Sequence, residues 1–243
     1  MPTELGRIEA IFRYPVKSMR GEPLDAVTLG WHGLDGDRRL ALRRLDQRAG
    51  GFPWLSASKL PELVLFTPQG REAGSGEALP TQVLTPEEEA LPAFGEALAA
   101  AIERRHGAPV QMMHLRNGIF DDASISVITS DTVREVSRLA GRDPDFRRFR
   151  PNLVIRSTRA VPFEEDAWLG GVITFGDGDE PPAVTVTTRD VRCAMVNIDP
   201  DQGSIAPEFL KAVVRANANH AGVYGTVTRT GRLVVGQTVV LHR

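Results

Sequence analysis

Cys193 is the only cysteine of the chain, and it closes the run Val184-Thr185-Val186-Thr187-Thr188-Arg189-Asp190-Val191-Arg192-Cys193, which begins as a strand-forming stretch. A lone cysteine forms no intramolecular disulfide, so three roles are open: inert core thiol, nucleophile, or soft ligand for a metal centre. The last two need a thiolate. Positive neighbours favour that form, and Arg189 and Arg192 are close in sequence.

Three further constellations suit anions. Arg147-Arg148-Phe149-Arg150-Pro151-Asn152 sets three guanidiniums beside a proline that fixes the backbone, and a planar guanidinium grips phosphate or carboxylate in bidentate fashion. A solvated basic turn is an equal alternative. Tyr14-Pro15-Val16-Lys17-Ser18 places a point charge and a hydroxyl at the exit of the first strand, a pair able to hold a phosphate oxygen without a glycine-rich loop. In Gly33-Leu34-Asp35-Gly36-Asp37-Arg38, the arginine either joins that anion site or simply pairs with Asp37, and spacing does not separate the two. The hydroxyls of Asp121-Asp122-Ala123-Ser124-Ile125-Ser126 offer contacts to a polar ligand, although such residues more often form turns.

Other chemistries are disfavoured. The histidines at 32, 106, 114, 220 and 242 show no pairing suited to zinc or non-haem iron. No Gly-x-Gly-x-x-Gly follows a strand and no P-loop occurs, which argues against nucleotides held by those devices, and pyridoxal phosphate is not expected either. Lys plus Arg number 29 against 31 Asp plus Glu, so the net charge of −2 gives no general attraction to nucleic acid or an anionic membrane. With no spanning apolar run and no leader pattern, the chain reads as cytoplasmic. One cysteine cannot build a four-thiolate iron–sulfur cluster within these residues, so redox work would draw on a separate electron donor.

The elements that must position these groups are mainly strands. Short β-favouring runs recur at 8–14, 27–29, 39–45, 63–67, 110–115, 153–155, 172–175, 184–188, 224–229 and 233–241, most of them bounded by Gly, Pro or Asp. The pattern predicts a mainly β, α+β chain of barrel or sandwich type. Three helices are predicted: 92–105, ending in Arg104, Arg105 and Gly107; a second capped by Ser130 and stopped by Gly141; and a third opening at Pro207. Residues 68–89, rich in Gly, Pro and Glu, read as a mobile surface excursion. Asn117-Gly118 marks a soft boundary, giving modules at 1–117 and 118–243.

Six of these segments occur in the order of one family: Tyr14 to Ser18, Gly33-Leu34 with Asp37-Arg38, Phe149 to Asn152, Phe163-Glu164-Glu165-Asp166-Ala167-Trp168, Arg192-Cys193, and Asp199-Pro200-Asp201-Gln202-Gly203. The chain resembles MOSC-domain proteins with an N-terminal MOSC β-barrel module, the group that contains the mitochondrial amidoxime-reducing component and its bacterial relatives. The resemblance covers about 7–241.

It implies two packed β-rich modules, the MOSC domain and its N-terminal partner, enclosing a molybdenum cofactor, a metal held by a pterin dithiolene with a phosphate. By the same resemblance Cys193 is the metal ligand and, with Asp190, a catalytic residue. Lys17, Ser18, Arg38, Ser124, Arg150, Asn152, Val191 and Arg192 are the cofactor contacts. The implied activity is reduction of small N-hydroxylated or N-oxide compounds by oxygen-atom transfer. A ferredoxin, a flavodoxin, or a b-type cytochrome with its reductase would supply electrons. The amidoxime-reducing members carry Cys-Ser-Arg-Cys where this chain has Asp190-Val191-Arg192-Cys193, so an acid stands beside the centre. Two other readings remain open: a persulfide carrier at Cys193, and a non-catalytic module that binds or delivers the cofactor.

Overall fold

The computed structural model describes residues 2–46, 52–70 and 79–243. Along the chain, β1 (Thr3–Arg13) is followed by β2 (Glu22–Leu24), β3 (Ala26–Gly30), β4 (Gly33–Leu34) and β5 (Leu40–Arg44). After a 3-10 turn at Pro61–Leu65 come β6 (Thr67–Gln69), β7 (Gln82–Leu84), β8 (Ala90–Pro92), α1 (Glu96–His106) and β9 (Val110–His114). The second half adds β10 (Ile125–Thr129), α2 (Ser130–Ala140), β11 (Leu153–Ser157), β12 (Val172–Phe175) and β13 (Ala183–Val191). It ends with α3 (Glu208–Asn217), β14 (His220–Arg229), β15 (Gly231–Val234) and β16 (Thr238–His242).

Seven strands close into a barrel in the order β1, β11, β10, β14, β13, β12, β16 and back to β1, with β2 added at the flank of β1. Alternate residues of each strand point to the same face, and Ile125 and Val127, Leu153 and Ile155, Ile173 and Phe175, Val184 and Val186, and Val239 and Leu241 accordingly fill one core. The neighbours β10 and β11 run parallel, a pairing that requires a crossover, and α2 supplies it. Helices α2 and α3 pack together through Val133, Val136, Phe209 and Val213 in a cluster that includes Ile128 and Val154 of the barrel strands. A separate core, with Leu40, Leu42, Phe66, Val83, Leu98 and Ile102, lies among β5, β7 and α1. The protein is thus mainly β with few helices.

Several sequence expectations need correction. The run at 63–67 is not a strand: Pro61 starts a 3-10 turn, and Leu63 and Val64 are apolar because they plug the second core. The run at 233–241 is two strands, broken at Gly236, and they join different sheets, β15 with β3 and β16 with β1 and β12. Of the presumed excursion at 68–89, residues 71–78 lie outside the described residues. Its flanks form the β6-β7-β8 meander, with Val83 fully buried. The cap of α2 is Thr129, whose hydroxyl accepts from the Thr132 amide at 3.2 Å, not Ser130. The hydroxyls of Thr129 and Thr132 also donate to buried Glu165 at 2.9 and 3.0 Å, which ties the Phe163 to Trp168 segment to the start of the helix.

Barrel closure depends on Gly6, which pairs with Ser157 on one side and Val239 on the other. Its φ is +148°, and a Cβ placed there would stand 2.0 Å from the Arg156 carbonyl oxygen, a backbone atom with nowhere to go. Gly6→Ala is therefore expected to cost about 3 kcal/mol. Thermal melting should show this as a midpoint about 10 °C lower.

Candidate functional site

A cleft of about 540 Å3 is lined by Lys17, Ser18 and Arg38 from the first half and by Arg150, Asp190, Val191, Arg192 and Cys193 from the second. Backbone hydrogen bonds explain the first group. The amide of Arg38 donates to the Tyr14 carbonyl at 2.8 Å, that of Lys17 to Leu40 at 2.8 Å, and that of Leu40 to Pro15 at 3.0 Å. Two segments distant in sequence are thereby laced together at the end of β1.

Beneath them lies the fully buried carboxylate of Asp37. It accepts from the Tyr14 amide at 2.7 Å, from Arg38 Nη1 at 2.5 Å and from Asn152 Nδ2 at 3.0 Å. Arg38 also donates to the Arg150 carbonyl at 3.0 Å and stacks on Tyr14 with 4.9 Å to the ring centroid. Both readings of Arg38 therefore hold: it pairs with Asp37 and it faces the cleft. Asp37 is the leading favourable contribution to the Arg38 guanidinium, whose pKa is raised despite burial.

Arg150 has a different balance. It stacks on the other contact of Tyr14, 4.1 Å from the centroid, and donates to the Met19 carbonyl at 2.8 Å. No carboxylate among the described residues forms an ion pair with it. Burial, reinforced by the like charge of Arg38, pushes its pKa down to about 10. An anion in the cleft would relieve that cost, which a neutral ligand could not do. Ser18, Arg38 and Arg150 all adopt left-handed backbone conformations, with φ of 70°, 51° and 50°. Such conformations are costly for residues with a Cβ and cluster at binding sites.

Cys193 follows β13 and caps a 3-10 turn at Ala194–Asn197; its side chain is exposed, which removes the core-thiol reading. Its neighbour Arg192 points inward, donating to the Ala221 and Phe149 carbonyls, each at 2.7 Å, with Nη2 2.8 Å from Asp190. That contact lacks hydrogen-bond geometry, so Nη2 lacks a hydrogen-bond partner. Arg189 instead pairs with Asp166 and is not part of the cleft wall. Asp190 is buried and accepts from the Ser126 hydroxyl at 3.1 Å. Burial raises its carboxyl to about 6, with Asp121 adding to the rise and Arg192, Ser126 and Arg38 opposing it.

Not every sequence candidate reaches the cleft. Asn152 is buried behind it and acts through Arg38 and Asp37, while Ser124 packs its backbone against the Gly33 turn. Of the three arginines at 147–150, Arg147 is held by Asp145 and Asp201 away from the cleft, and Arg148 reaches the wall while bound to Asp199 at 2.5 Å. Sequence reading missed the wall formed by Ser56, Ser58 and Lys59. The alternation of buried Leu55 and Ala57 with Ser56 and Ser58 is the signal that could have found it. It also missed Asp121, which accepts from Lys17 Nζ at 2.6 Å. Tyr224 also lines the cleft.

Residues 89–240 match the family profile of the MOSC domain, and residues 5–122 that of the MOSC N-terminal beta barrel domain. The chain belongs to the MOSC family. MOSC domains are associated with molybdopterin binding in general, and the family includes molybdenum-cofactor oxidoreductases. The crystal structure of the YuaD protein from Bacillus subtilis shares the fold of this MOSC protein: TM-score 0.54 and 14% identity, covering 100% of this chain and 97% of that one. YiiM from Geobacillus stearothermophilus matches less, with TM-score 0.39 and 21% identity over 49% of this chain and 54% of the other. No curated protein matches the sequence. Among the described residues of the MOSC chain, no helix is long and apolar enough to cross a membrane.

Two outcomes follow from the buried carboxylates. Asp37→Ala strands Arg38 and Asn152 and is expected to destabilise the fold by about 3 kcal/mol or more in urea titration. Asp190 holds its proton to about pH 6 when folded but only to 3.8 as an isolated side chain, so the folded chain binds more protons between those values. Stability should therefore fall as pH rises from about 4 to about 6, by about 3 kcal/mol, a slope that Asp190→Asn should abolish in the same titration.

Proposed function

We propose that this MOSC protein is a molybdenum-cofactor-dependent oxidoreductase that reduces N-hydroxylated or N-oxide compounds. The observation that carries the reading is the exposed Cys193 thiol in a cleft whose walls also present Lys17, Arg38 and Arg150. Among the described residues no group of three or more His, Cys, Asp or Glu could hold a metal ion. A metal that uses Cys193 must then arrive with its other ligands attached, as a dithiolene-bound metal does, and a soft thiolate suits such a centre. The incompletely compensated Arg150 fits the anionic part of such a cofactor.

When bound, the cofactor supplies two-electron oxygen-atom transfer, converting an N–OH group to N–H with release of water as two electrons and two protons are taken up. The chain's residues do the rest. Lys17, Ser18, Arg38 and Arg150 hold the phosphate end, backed by Asn152 through Arg38, and Cys193 holds the metal. Arg192 fixes the loop by its grip on two carbonyls. Asp190, with Ser126 donating to its carboxylate and a proton affinity near neutrality, holds the proton that the product nitrogen or water requires. Electrons come from a separate ferredoxin, flavodoxin or cytochrome partner. An exposed thiol also serves a persulfide carrier, and a metal assay separates the two readings.

Protein from a host that makes the cofactor should contain near-stoichiometric molybdenum by inductively coupled plasma mass spectrometry, lost or labile in Cys193→Ala. Absence of metal from both would sink the oxidoreductase reading and move the assignment to sulfur transfer. With metal-loaded protein and an artificial reductant, N-hydroxybenzamidine should be turned over, and Asp190→Asn should slow it about a hundredfold while retaining the metal.

A further inference from the structure

One turn of the cleft wall is seated firmly by apolar anchors. Residues 53–55 run beside β5, with the Arg44 amide donating to the Pro53 carbonyl at 2.7 Å and the Leu55 amide to the Leu42 carbonyl at 2.8 Å. The chain then turns, and the Lys59 and Leu60 amides both donate to the Ser56 carbonyl, at 2.9 and 3.1 Å. Leu55, Ala57 and Leu60 are buried in the second core, while Ser56, Ser58 and Lys59 line the cleft.

The cations of the cleft differ in how they are matched. Lys17 pairs with Asp121, Arg38 with Asp37, Arg148 with Asp199 and Arg192 with Asp190. Two are left. Arg150 stacks on Tyr14 and belongs with the phosphate end of the cofactor. The other is Lys59, which is exposed and has no ion-pair partner among the described residues. A single phosphate accounts for Arg150 and leaves Lys59 unexplained.

Two further groups share this part of the wall. The hydroxyls of Ser56 and Ser58 lie 2.7 Å apart. Two hydroxyls carry two donor protons and the bond between them uses one, so the other is available to an outside acceptor. Phe52 lines the same cleft and is 54% exposed, an unusual state for a phenyl ring unless an apolar group packs on it.

We infer that Lys59 and the Ser56 and Ser58 hydroxyls form a carboxylate subsite, and that the preferred N-hydroxylated substrate carries its carboxylate on an aromatic or similarly apolar body that packs on Phe52. The N-hydroxy half of this statement rests on the oxidoreductase reading of the cleft; the carboxylate half does not. One ammonium and one hydroxyl donor match the two oxygens of a carboxylate. A cationic substrate is disfavoured because the acids of the wall are engaged: Asp121 by Lys17, Asp190 by Arg192, and Asp122 by the Thr188 hydroxyl at 3.0 Å.

The probes are N-hydroxybenzamidines with a carboxylate at the 3- or 4-position, each compared with its carboxamide, which has the same shape without the charge. Calorimetric titration into the full chain, purified from a host that makes the cofactor and kept without reductant, should show at least one carboxylate binding about fivefold tighter than its amide. The margin should shrink as salt is raised. Lys59→Met should bring the ratio to about one and Lys59→Glu should invert it, with the metal content of the parent retained in both. Under turnover with an artificial reductant, the same preference should reside in KM and not in kcat. Three results would each overturn the inference: equal affinities for carboxylate and amide, a preference that survives Lys59→Met and so belongs to Lys17 or Arg150, or loss of metal from Lys59→Met, which places Lys59 on the cofactor. Preferential binding of the carboxylate without turnover of either compound sinks the oxidoreductase reading and leaves the carboxylate subsite standing.

Discussion

The carboxylate of Asp37 is the fixed point of the molecule. It lies where the first strand ends, where the Gly33 turn returns, and where the chain enters β11, and it binds one donor from each. A charge fully removed from water is tolerated only when its lone pairs are occupied by well-placed donors. Here the donors are a strand amide, a cleft arginine and the Asn152 amide, which itself accepts from the Ser126 amide at 3.1 Å. Barrel, turn and cleft wall are consequently set by one buried group that does not itself line the cleft. Asn152, which the family resemblance implies as a cofactor contact, belongs to this supporting layer.

Electrostatic matching above that layer is uneven, and the unevenness carries the functional argument. Most arginines near the cleft have an assigned acid: Arg38 with Asp37, Arg148 with Asp199, Arg147 with Asp145 and Asp201. Arg150 relies on a carbonyl and a ring face, and Lys17 on Asp121, whose side chain is 68% exposed. Exposed ion pairs contribute little and yield readily to a better partner. The positions with the weakest compensation are the ones that face the open space.

The sequence made the barrel legible because period-two patterns such as Ile173 with Phe175 and Val239 with Leu241 report a strand wherever one face is buried. It misled at Leu63 and Val64, where an apolar pair has the composition of a strand but is buried by a single 3-10 turn. Nothing in 233–241 reported which sheet each half would join, since partner choice is a property of the whole barrel. For the site, residue types and their local context pointed to Cys193, Lys17, Ser18, Arg38 and Arg150, and the family resemblance added Asp190, all on the cleft wall. It did not reveal depth: Asn152 and Ser124 carry the same residue types whether they face a ligand or a neighbouring backbone. Ser56, Ser58 and Lys59 were hidden because small polar residues acquire meaning only once Leu55 and Ala57 fix their orientation.

The closed barrel bears on how the chain can be divided. Its first strand comes from the N-terminus, while the other six follow residue 118. Cutting near residue 117, where the composition suggests a joint, would leave β11 and β16 as two unpaired edges flanking an open apolar interior, the configuration that recruits strands from other molecules. A fragment carrying Cys193 alone would be prone to assemble with itself, and the module would tolerate circular rearrangement better than truncation, provided that β1 is supplied somewhere in the chain.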